Sequence, residues 1–187
     1  WAIGDVNDCI NAALSLSNTG RADSKRLLIR GGSAGGYTVL CALAFHSTFA
    51  AGTSLYGVSD LELLAKDTHK FESHYLDRLI GLYPQEKDLY IKRSPIHHIQ
   101  KLNRPVLLLQ GRDDPVVPLN QAVSIFEALK KQGTPVAMLV FDKEQHGFRQ
   151  SANIQRALDA ELYFYSKILK FSLPEPIEPI TIENFKN

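Results

Sequence analysis

The first segment of the chain alternates hydrophobic and polar positions with the period of an α-helix. Its apolar positions recur every three or four residues: Ile3, Val6, Ile10, Ala13 and Leu14. The pattern ends at Asn18, Thr19 and Gly20, residue types that favour the end of a helix. The sequence therefore predicts an amphipathic helix at the start of the chain, with one face against a core.

Four short apolar runs lack this helical period and predict strands. They cover residues 27–29, 49–56, 105–109 and 136–141. Runs without alternation are typical of strands that are buried on both faces of a parallel sheet. Helical patterns separate or follow these runs, at residues 37–45, 122–129 and 154–169. Strands that alternate with helices indicate βαβ units, so the predicted fold class is α/β, with a mainly parallel sheet and helices on both faces.

The stretch after the second predicted strand has the pattern of helices and loops. Ser59, with Glu62 three residues later, is a capping-box signature and predicts the start of a helix. Residues 67–100 form a helical insertion, which would lie at the edge of the sheet or over a site. The proline-containing end of the chain is predicted to be extended. We therefore expect one domain at residues 1–173 and a tail at residues 174–187.

Composition and charge exclude several classes of protein. The 187 residues are 44% hydrophobic and 22% charged, which is typical of one globular domain. A formal net charge of +1 offers no basic surface for nucleic acid or an anionic membrane. The longest apolar run, residues 39–45, is far shorter than the roughly 20 residues that span a membrane. Cys9 and Cys41 are expected to be two buried thiols, so we expect a cytoplasmic protein.

Glycines surround a serine in the turn after the first predicted strand. Gly31, Gly32, Ser33, Ala34 and Gly35 fit the G-x-S-x-G nucleophile elbow, a strained turn that joins a strand to a helix and exposes the serine hydroxyl. Side chains at the flanking glycines would collide with the crossing strand and helix. A phosphate-binding loop is a poorer explanation, because the turn lacks G-x-G-x-x-G and a trailing Lys-Ser/Thr. A plain tight turn does not need glycines on both sides of a serine. The sequence predicts that Ser33 is a nucleophile.

A serine nucleophile requires a base, and six histidines are available. They are His46, His69, His74, His97, His98 and His146. Only His146 lies in a turn after a predicted strand and ahead of the last helix, and the carboxyl ends of parallel strands are where active sites collect. His97 and His98 are adjacent and face different ways, so a metal shared by the two is not expected. His146 is therefore the predicted base.

Three aspartates compete as the acid that would orient this histidine. Asp60 has a structural explanation beside the predicted helix cap. Asp113 and Asp114 both follow the third predicted strand, and the stiff segment at residues 115–118 would anchor Asp114 inward. Spacing alone leaves both of these aspartates open. The order serine, aspartate, histidine is the chain order of α/β-hydrolases.

Several strings of residues together resemble the catalytic domain of the prolyl oligopeptidase family, closest to its acylaminoacyl-peptidase and dipeptidyl-aminopeptidase-like branch. They are WAIGDVNDCINAA, GGSAGGY, YGVSDL, RSPIHHI, GRDDPVVPLNQA and EQHGF. The resemblance implies an α/β-hydrolase fold with Ser33 as nucleophile and His146 as base. It also implies that Asp114, rather than Asp113, is the acid.

The resemblance further implies parts that this sequence does not contain. Catalytic domains of the family carry additional upstream strands and a tyrosine that binds the oxyanion beside the amide of the residue after the serine. A β-propeller domain usually precedes them. We therefore expect a piece of a longer protein, the C-terminal portion of the fold, with the amide of Ala34 as the remaining oxyanion donor. Its first strand would be an open edge, which favours a homo-oligomer. Gln110 stands where many relatives have histidine.

The sequence thus predicts a serine-type peptidase that hydrolyses short peptides through an acyl-enzyme. This mechanism requires no cofactor and no metal. One alternative is a carboxylesterase with the same triad, because a fold does not determine the substrate. The other is a truncated, non-catalytic hydrolase-fold module, which the missing upstream half favours. Tyr37, just past the elbow, either binds substrate or packs in the core, and the sequence does not decide between these.

Overall fold

A parallel sheet of four strands forms the centre of the computed structural model, which describes residues 1–67 and 74–186. The strands are β1 Leu28–Gly32, β2 Ala51–Leu55, β3 Val106–Gly111 and β4 Val136–Phe141, and they lie side by side in this order. All neighbouring strands pair in the parallel direction. The four predicted strands and their direction are confirmed.

Helices connect and follow these strands. They are α1 Gly4–Asn18, α2 Ala34–Phe45, α3 Leu61–Asp67, α4 Tyr75–Leu79, α5 Lys87–Arg93, α6 Leu119–Gln132 and α7 Ser151–Leu169, with a 3₁₀ helix at Pro95–Lys101. The helical character predicted for the insertion is confirmed where the structure describes it, and its 3₁₀ helix packs on α2 and α6. Within the described ranges, no helix has the length and apolar composition that crossing a membrane requires.

Two hydrophobic clusters lie on opposite faces of the sheet. Residues of β3 alternate between them: Val106 and Leu108 belong to one cluster, and Leu107 and Leu109 belong to the other. The first cluster contains residues of α1, α2 and α6, and the second contains Phe164 of α7 and its neighbours. Because helices cover both faces, every residue of β3 is buried. This explains the unbroken apolar run and confirms the α/β class with helices on both faces.

The outer strands of the sheet differ in what lies beside them. Val136 of β4 forms an antiparallel bridge with Glu183 of the tail, and the Asn184 side chain donates to the carbonyls of Lys130 and Thr134. The tail therefore packs along β4, while the boundary at residue 173 stays a prediction. In the described part of the chain β1 pairs only with β2. Self-association through this edge stays a prediction.

The start of α3 has a different cap from the predicted one. Asp60 Oδ1 accepts hydrogen bonds from the N–H of Glu62 and Leu63, at 2.9 and 3.1 Å. Ser59 is instead fully buried, and its N–H and hydroxyl donate to oxygens of Gln121. The predicted Ser59 capping box is wrong, because Asp60 supplies the cap while a contact from a distant helix occupies Ser59.

The two cysteines lie in different environments. Cys41 is buried in α2, as predicted, but Cys9 is exposed on α1. The prediction of two buried thiols is therefore wrong for Cys9, which is outside the buried stripe of α1 formed by Val6 and Ile10.

Candidate active site

The turn between β1 and α2 holds Ser33 in a strained backbone conformation. Its φ is +55° and its ψ is −119°, a combination that residues with a side chain rarely adopt. The N–H of Ser33 donates to the carbonyl of Leu55 at the end of β2, at 2.9 Å. The strained strand-to-helix turn predicted from the glycine pattern is present. Ala34 is the first residue of α2, so its N–H has no acceptor within that helix.

Two glycines allow this turn to be so sharp. A Cβ at Gly31 would meet the backbone of Gly35, and a Cβ at Gly36 would lie 2.7 Å from the Cα of Gly57. Strand β1, helix α2 and the end of β2 therefore approach more closely than side chains would permit. The expected collision does not occur at Gly35, where a Cβ would meet nothing within 4 Å. Within α2, the position at which a side chain would collide is Gly36, against the end of β2 and Gly57.

This difference predicts opposite effects for two neighbouring substitutions in α2. Gly36→Ala is expected to lower the free energy of unfolding by about 1–3 kcal/mol, because the added methyl group overpacks a site already filled by Gly57 and Ser54. Gly35→Ala is the matched control, and its better helix propensity is expected to leave stability unchanged or raise it. Urea denaturation of both variants measures the difference. Equal stabilities would contradict the packing argument.

Three turns, each at the carboxyl end of a strand, bring Ser33, Asp114 and His146 together. The Nε2 atom of His146 lies 2.7 Å from Ser33 Oγ, and its Nδ1 atom lies 2.9 Å from Asp114 Oδ2. The side chain of His146 is 23% exposed, whereas that of Asp114 is fully buried. The structure thus places the three predicted residues in one hydrogen-bonded series. Their catalytic roles stay a prediction.

The other aspartates and histidines that were candidates for the acid and the base lie outside this hydrogen-bonded series where the structure describes them. Asp113 is exposed, and Asp60 caps α3. His74 pairs with Asp77, and His98 Nε2 contacts the carbonyl of Lys92. His69 lies outside the described residues.

Main-chain amides hold the carboxylate of Asp114. Its Oδ1 atom accepts the N–H of Val116 and the N–H of Val117, each at 2.9 Å. Its Oδ2 atom faces His146 and also accepts a hydrogen bond from Gln110 Nε2, at 3.3 Å. The segment at residues 115–118, predicted to anchor Asp114 by its stiffness, supplies these two amides. Both carboxylate oxygens are therefore held in place.

Glu144 braces the loop that carries His146. Its carboxylate is 1% exposed and accepts hydrogen bonds from the N–H of Arg149, the N–H of Gln150 and the side-chain amide of Asn153. These donors lie where the loop joins α7, so the carboxylate connects the two ends of the loop that contains His146. The sequence analysis missed Glu144, although its place two residues before the predicted base was the available signal.

A second contact ties the histidine loop to the turn after β3. The N–H of Asp113 donates to the carbonyl of Glu144, at 3.0 Å. A Cβ at Gly111 would lie 2.6 Å from the same carbonyl oxygen. Gly111 therefore allows the segments that hold Asp114 and His146 to meet, a role that the sequence analysis also missed.

The ionisation of Glu144 predicts a pH-dependent contribution to stability. Burial by itself raises the pKa of Glu144. The hydrogen bonds from Asn153, Arg149 and Gln150 together lower the pKa by more than burial raises it, so the pKa lies below its ordinary value. Such a carboxylate stabilises the folded state at pH values above its unfolded-state pKa, and this contribution is lost as the pH falls through the folded-state pKa. We expect Glu144→Gln to be less stable than the wild type near neutral pH.

This stability difference should shrink as the pH falls through the lowered pKa of the folded-state Glu144, where the wild-type carboxylate takes up a proton. Urea denaturation at several pH values measures it. Glu127→Gln, which changes an exposed carboxylate on α6, is the matched control and should show no such trend. A difference for Glu144→Gln that is independent of pH would contradict the assignment.

Aromatic rings border the histidine. The ring of Tyr56 lies 5.0 Å from that of His146 and 5.5 Å from that of Phe148, both edge-on. Tyr56 directly follows β2 and has a φ of +39°, a strained value for a residue with a side chain. The sequence analysis assigned no role to Tyr56, although its position after a strand was the signal. Tyr56 therefore packs directly against the imidazole of His146, and Phe148 packs against Tyr56.

Tyr37 lies in the core. Its side chain is fully buried, and its hydroxyl donates to the carbonyl of Arg93 at 2.8 Å. Burial raises the pKa of this hydroxyl far above its ordinary value. This position favours the packing alternative, and no contact among the described residues supports substrate binding by Tyr37. Likewise, the part of the chain that the structure describes contains no group of three or more His, Cys, Asp or Glu residues arranged to hold a metal ion.

Comparison with known proteins gives the family of this chain. A model of the prolyl oligopeptidase family matches residues 1–172. The chain belongs to the prolyl oligopeptidase family. Family membership and the sheet order together give the α/β-hydrolase fold, as the sequence motifs implied.

Solved structures of peptidases resemble this prolyl oligopeptidase family chain closely. A puromycin-hydrolyzing peptidase of Mycobacterium tuberculosis superposes with a TM-score of 0.94 at 47% identity, covering 98% of this chain and 28% of that protein. An acylaminoacyl peptidase of Pyrococcus horikoshii superposes with a TM-score of 0.83 at 27% identity, covering 93% of this chain and 29% of that protein.

A curated relative shows the same relation. Dipeptidyl peptidase family member 6 of Caenorhabditis elegans is 30% identical over 156 residues, which is 80% of this chain and 21% of that protein. The chain therefore spans between a fifth and a third of the length of these family members. A preceding β-propeller domain stays a prediction.

Proposed function

We propose that this chain carries the catalytic centre of a serine-type peptidase. The observation that carries the proposal is the hydrogen-bonded series from Ser33 Oγ through His146 to Asp114 Oδ2. A serine hydroxyl at 2.7 Å from an imidazole nitrogen has a base for its proton, and the buried carboxylate keeps the other ring nitrogen protonated. The strained backbone of Ser33 supports the same role, because such strain is typical of nucleophile elbows.

The reaction would proceed in two halves. His146 Nε2 takes the proton of Ser33 as Oγ attacks the carbonyl carbon of the substrate, and the N–H of Ala34 donates to the oxyanion that forms. His146 then gives this proton to the leaving nitrogen as the C–N bond breaks. In the second half, His146 takes a proton from water as the water oxygen attacks the acyl carbon. It then gives that proton to Ser33 Oγ as the ester C–O bond breaks and the acid leaves. Asp114 stabilises the positive charge on the imidazole in both halves.

We propose short peptides and related amides as the substrate class. The support is the family and the names of its members, since the similar structures include a puromycin-hydrolyzing peptidase and an acylaminoacyl peptidase. Puromycin and short peptides are therefore the first amides to assay, together with p-nitrophenyl esters. Cleavage of esters with no cleavage of any amide would favour the carboxylesterase alternative.

Fluorophosphonate labelling of the purified protein, followed by intact mass, tests for the activated serine itself. We expect one covalent adduct on the wild type and on Ser47→Ala, which removes an exposed hydroxyl at the end of α2. The absence of an adduct in a sample that circular dichroism shows to be folded would favour the non-catalytic module.

A further inference from the structure

We propose that Gln110 is a positioning residue for Asp114. This inference rests on the proposed function, because it concerns the acid of that site. Gln110 lies in β3, and its side chain is fully buried. Its Nε2 atom donates to Asp114 Oδ2 at 3.3 Å and to the carbonyl of Val117 at 2.9 Å. The oxygen of Asp114 that it contacts is the one that faces His146 Nδ1.

The surrounding oxygens determine the orientation of the Gln110 amide. All three partners of Nε2 are acceptors: the Asp114 carboxylate and the carbonyls of Val117 and Gly111, the last at 3.3 Å. Only the NH₂ end of the amide can donate to them, and its two hydrogens are shared among these three acceptors. The opposite orientation would place Oε1 against a carboxylate oxygen and a carbonyl oxygen. The amide therefore holds Asp114 Oδ2, while the main-chain amides of Val116 and Val117 hold Oδ1.

The other end of the Gln110 amide indicates that stability alone does not explain this residue. Gln110 Oε1 is buried without a hydrogen-bond partner among the described residues. A buried amide oxygen without a partner destabilises the folded state, whereas an apolar side chain of similar length would fill the same space without that cost. The hydrogen bond from Nε2 to Asp114 Oδ2 explains why this position holds a glutamine.

Gln121 provides a contrast within the same chain. It is also fully buried, but its Oε1 accepts the N–H of Ser59 and the N–H of Asp60, and its Nε2 donates to the carbonyl of Asp60. Both ends of this amide are paired, and all of these partners are main-chain groups that join α6 to the start of α3. Gln121 therefore has a purely structural explanation, which makes it the matched control.

Substitution of both glutamines by methionine separates the two roles. Gln110→Met is expected to lower the melting temperature less than Gln121→Met does, because it removes the unpaired Oε1 together with the bonds of Nε2. It is expected to lower kcat and the rate of fluorophosphonate labelling about tenfold or more, with KM unchanged, because a hydrogen bond to a charged group is lost from the reacting site. Gln121→Met is expected to lower the melting temperature and to leave kcat per folded molecule unchanged. Rates are measured well below the melting temperature of each variant.

A spectroscopic readout tests the proposal independently of turnover. The proton between His146 Nδ1 and Asp114 Oδ2 is expected to give a far-downfield resonance in the proton NMR spectrum, which should shift in Gln110→Met and stay in place in Gln121→Met. Wild-type kcat together with an unshifted resonance in Gln110→Met would overturn the positioning role. So would a melting temperature that falls as far as in Gln121→Met, since the role would then be structural. A wild-type protein that shows the resonance but does not label would overturn the proposed function instead.

Discussion

Ser33→Ala is expected to abolish fluorophosphonate labelling and to lower kcat/KM by about 10⁴-fold or more. The substitution removes the hydroxyl that we propose as the nucleophile and as the acceptor of the acyl group. It should leave the fold intact, because the hydroxyl has one described partner, His146 Nε2, while the main-chain N–H of Ser33 keeps its bond to Leu55. Intact mass after labelling and amide hydrolysis measure the loss.

Ser47→Ala is the matched control for this prediction, since it removes an exposed hydroxyl two residues after the end of α2, the end opposite to the elbow. It should label and hydrolyse at the wild-type rate. An adduct that persists in Ser33→Ala, or hydrolysis within tenfold of the wild type, would show that another group is the nucleophile.

Asp114→Asn has the second largest expected effect, a fall in kcat of about 10⁴-fold. Asparagine preserves the shape of the side chain, but it must accommodate the N–H of Val116 and the N–H of Val117 on one side and His146 Nδ1 on the other. If its oxygen takes the main-chain amides, its NH₂ group faces His146. The imidazole then carries its proton on Nε2, where it cannot accept the proton of Ser33.

Asp113→Asn is the control that the chain itself offers. It is the exposed neighbour, and its side chain has no bond to the histidine, so kcat should stay near the wild-type value. The comparison also decides between the two aspartates that sequence spacing left open. Loss of activity in Asp113→Asn with retention in Asp114→Asn would reverse the assignment. Circular dichroism of both variants checks that they are folded.

Strands β2 and β3 were predictable because their environment is uniform along their length. Every residue of both strands is buried, so neither strand has an exposed face that would introduce polar alternation. The elbow was predictable because so tight a turn around Ser33 requires residues without a side chain at positions 31 and 36. Glycines at such positions can be read directly from the sequence.

Errors arose where two adjacent residues have similar local propensity. Ser59 and Asp60 are both good helix caps, and only the approach of Gln121 shows that Ser59 is occupied elsewhere. For Tyr37 the sequence left substrate binding and packing both open, and its hydroxyl reaches the carbonyl of Arg93 in the core. In each case a partner more than 50 residues away decides the position of the side chain.

The sequence by itself determined the α/β class, the elbow at Ser33 and the order of the three candidate site residues, which follow β1, β3 and β4. These features depend on local backbone sterics and on hydrophobic periodicity, which neighbouring residues carry. Tertiary structure alone decided that Asp114 is the buried aspartate, that Glu144 braces the histidine loop, and that Gln110 contacts the acid. Those roles depend on the approach of segments far apart in the chain, where hydrogen bonds form only after packing has removed water from their partners.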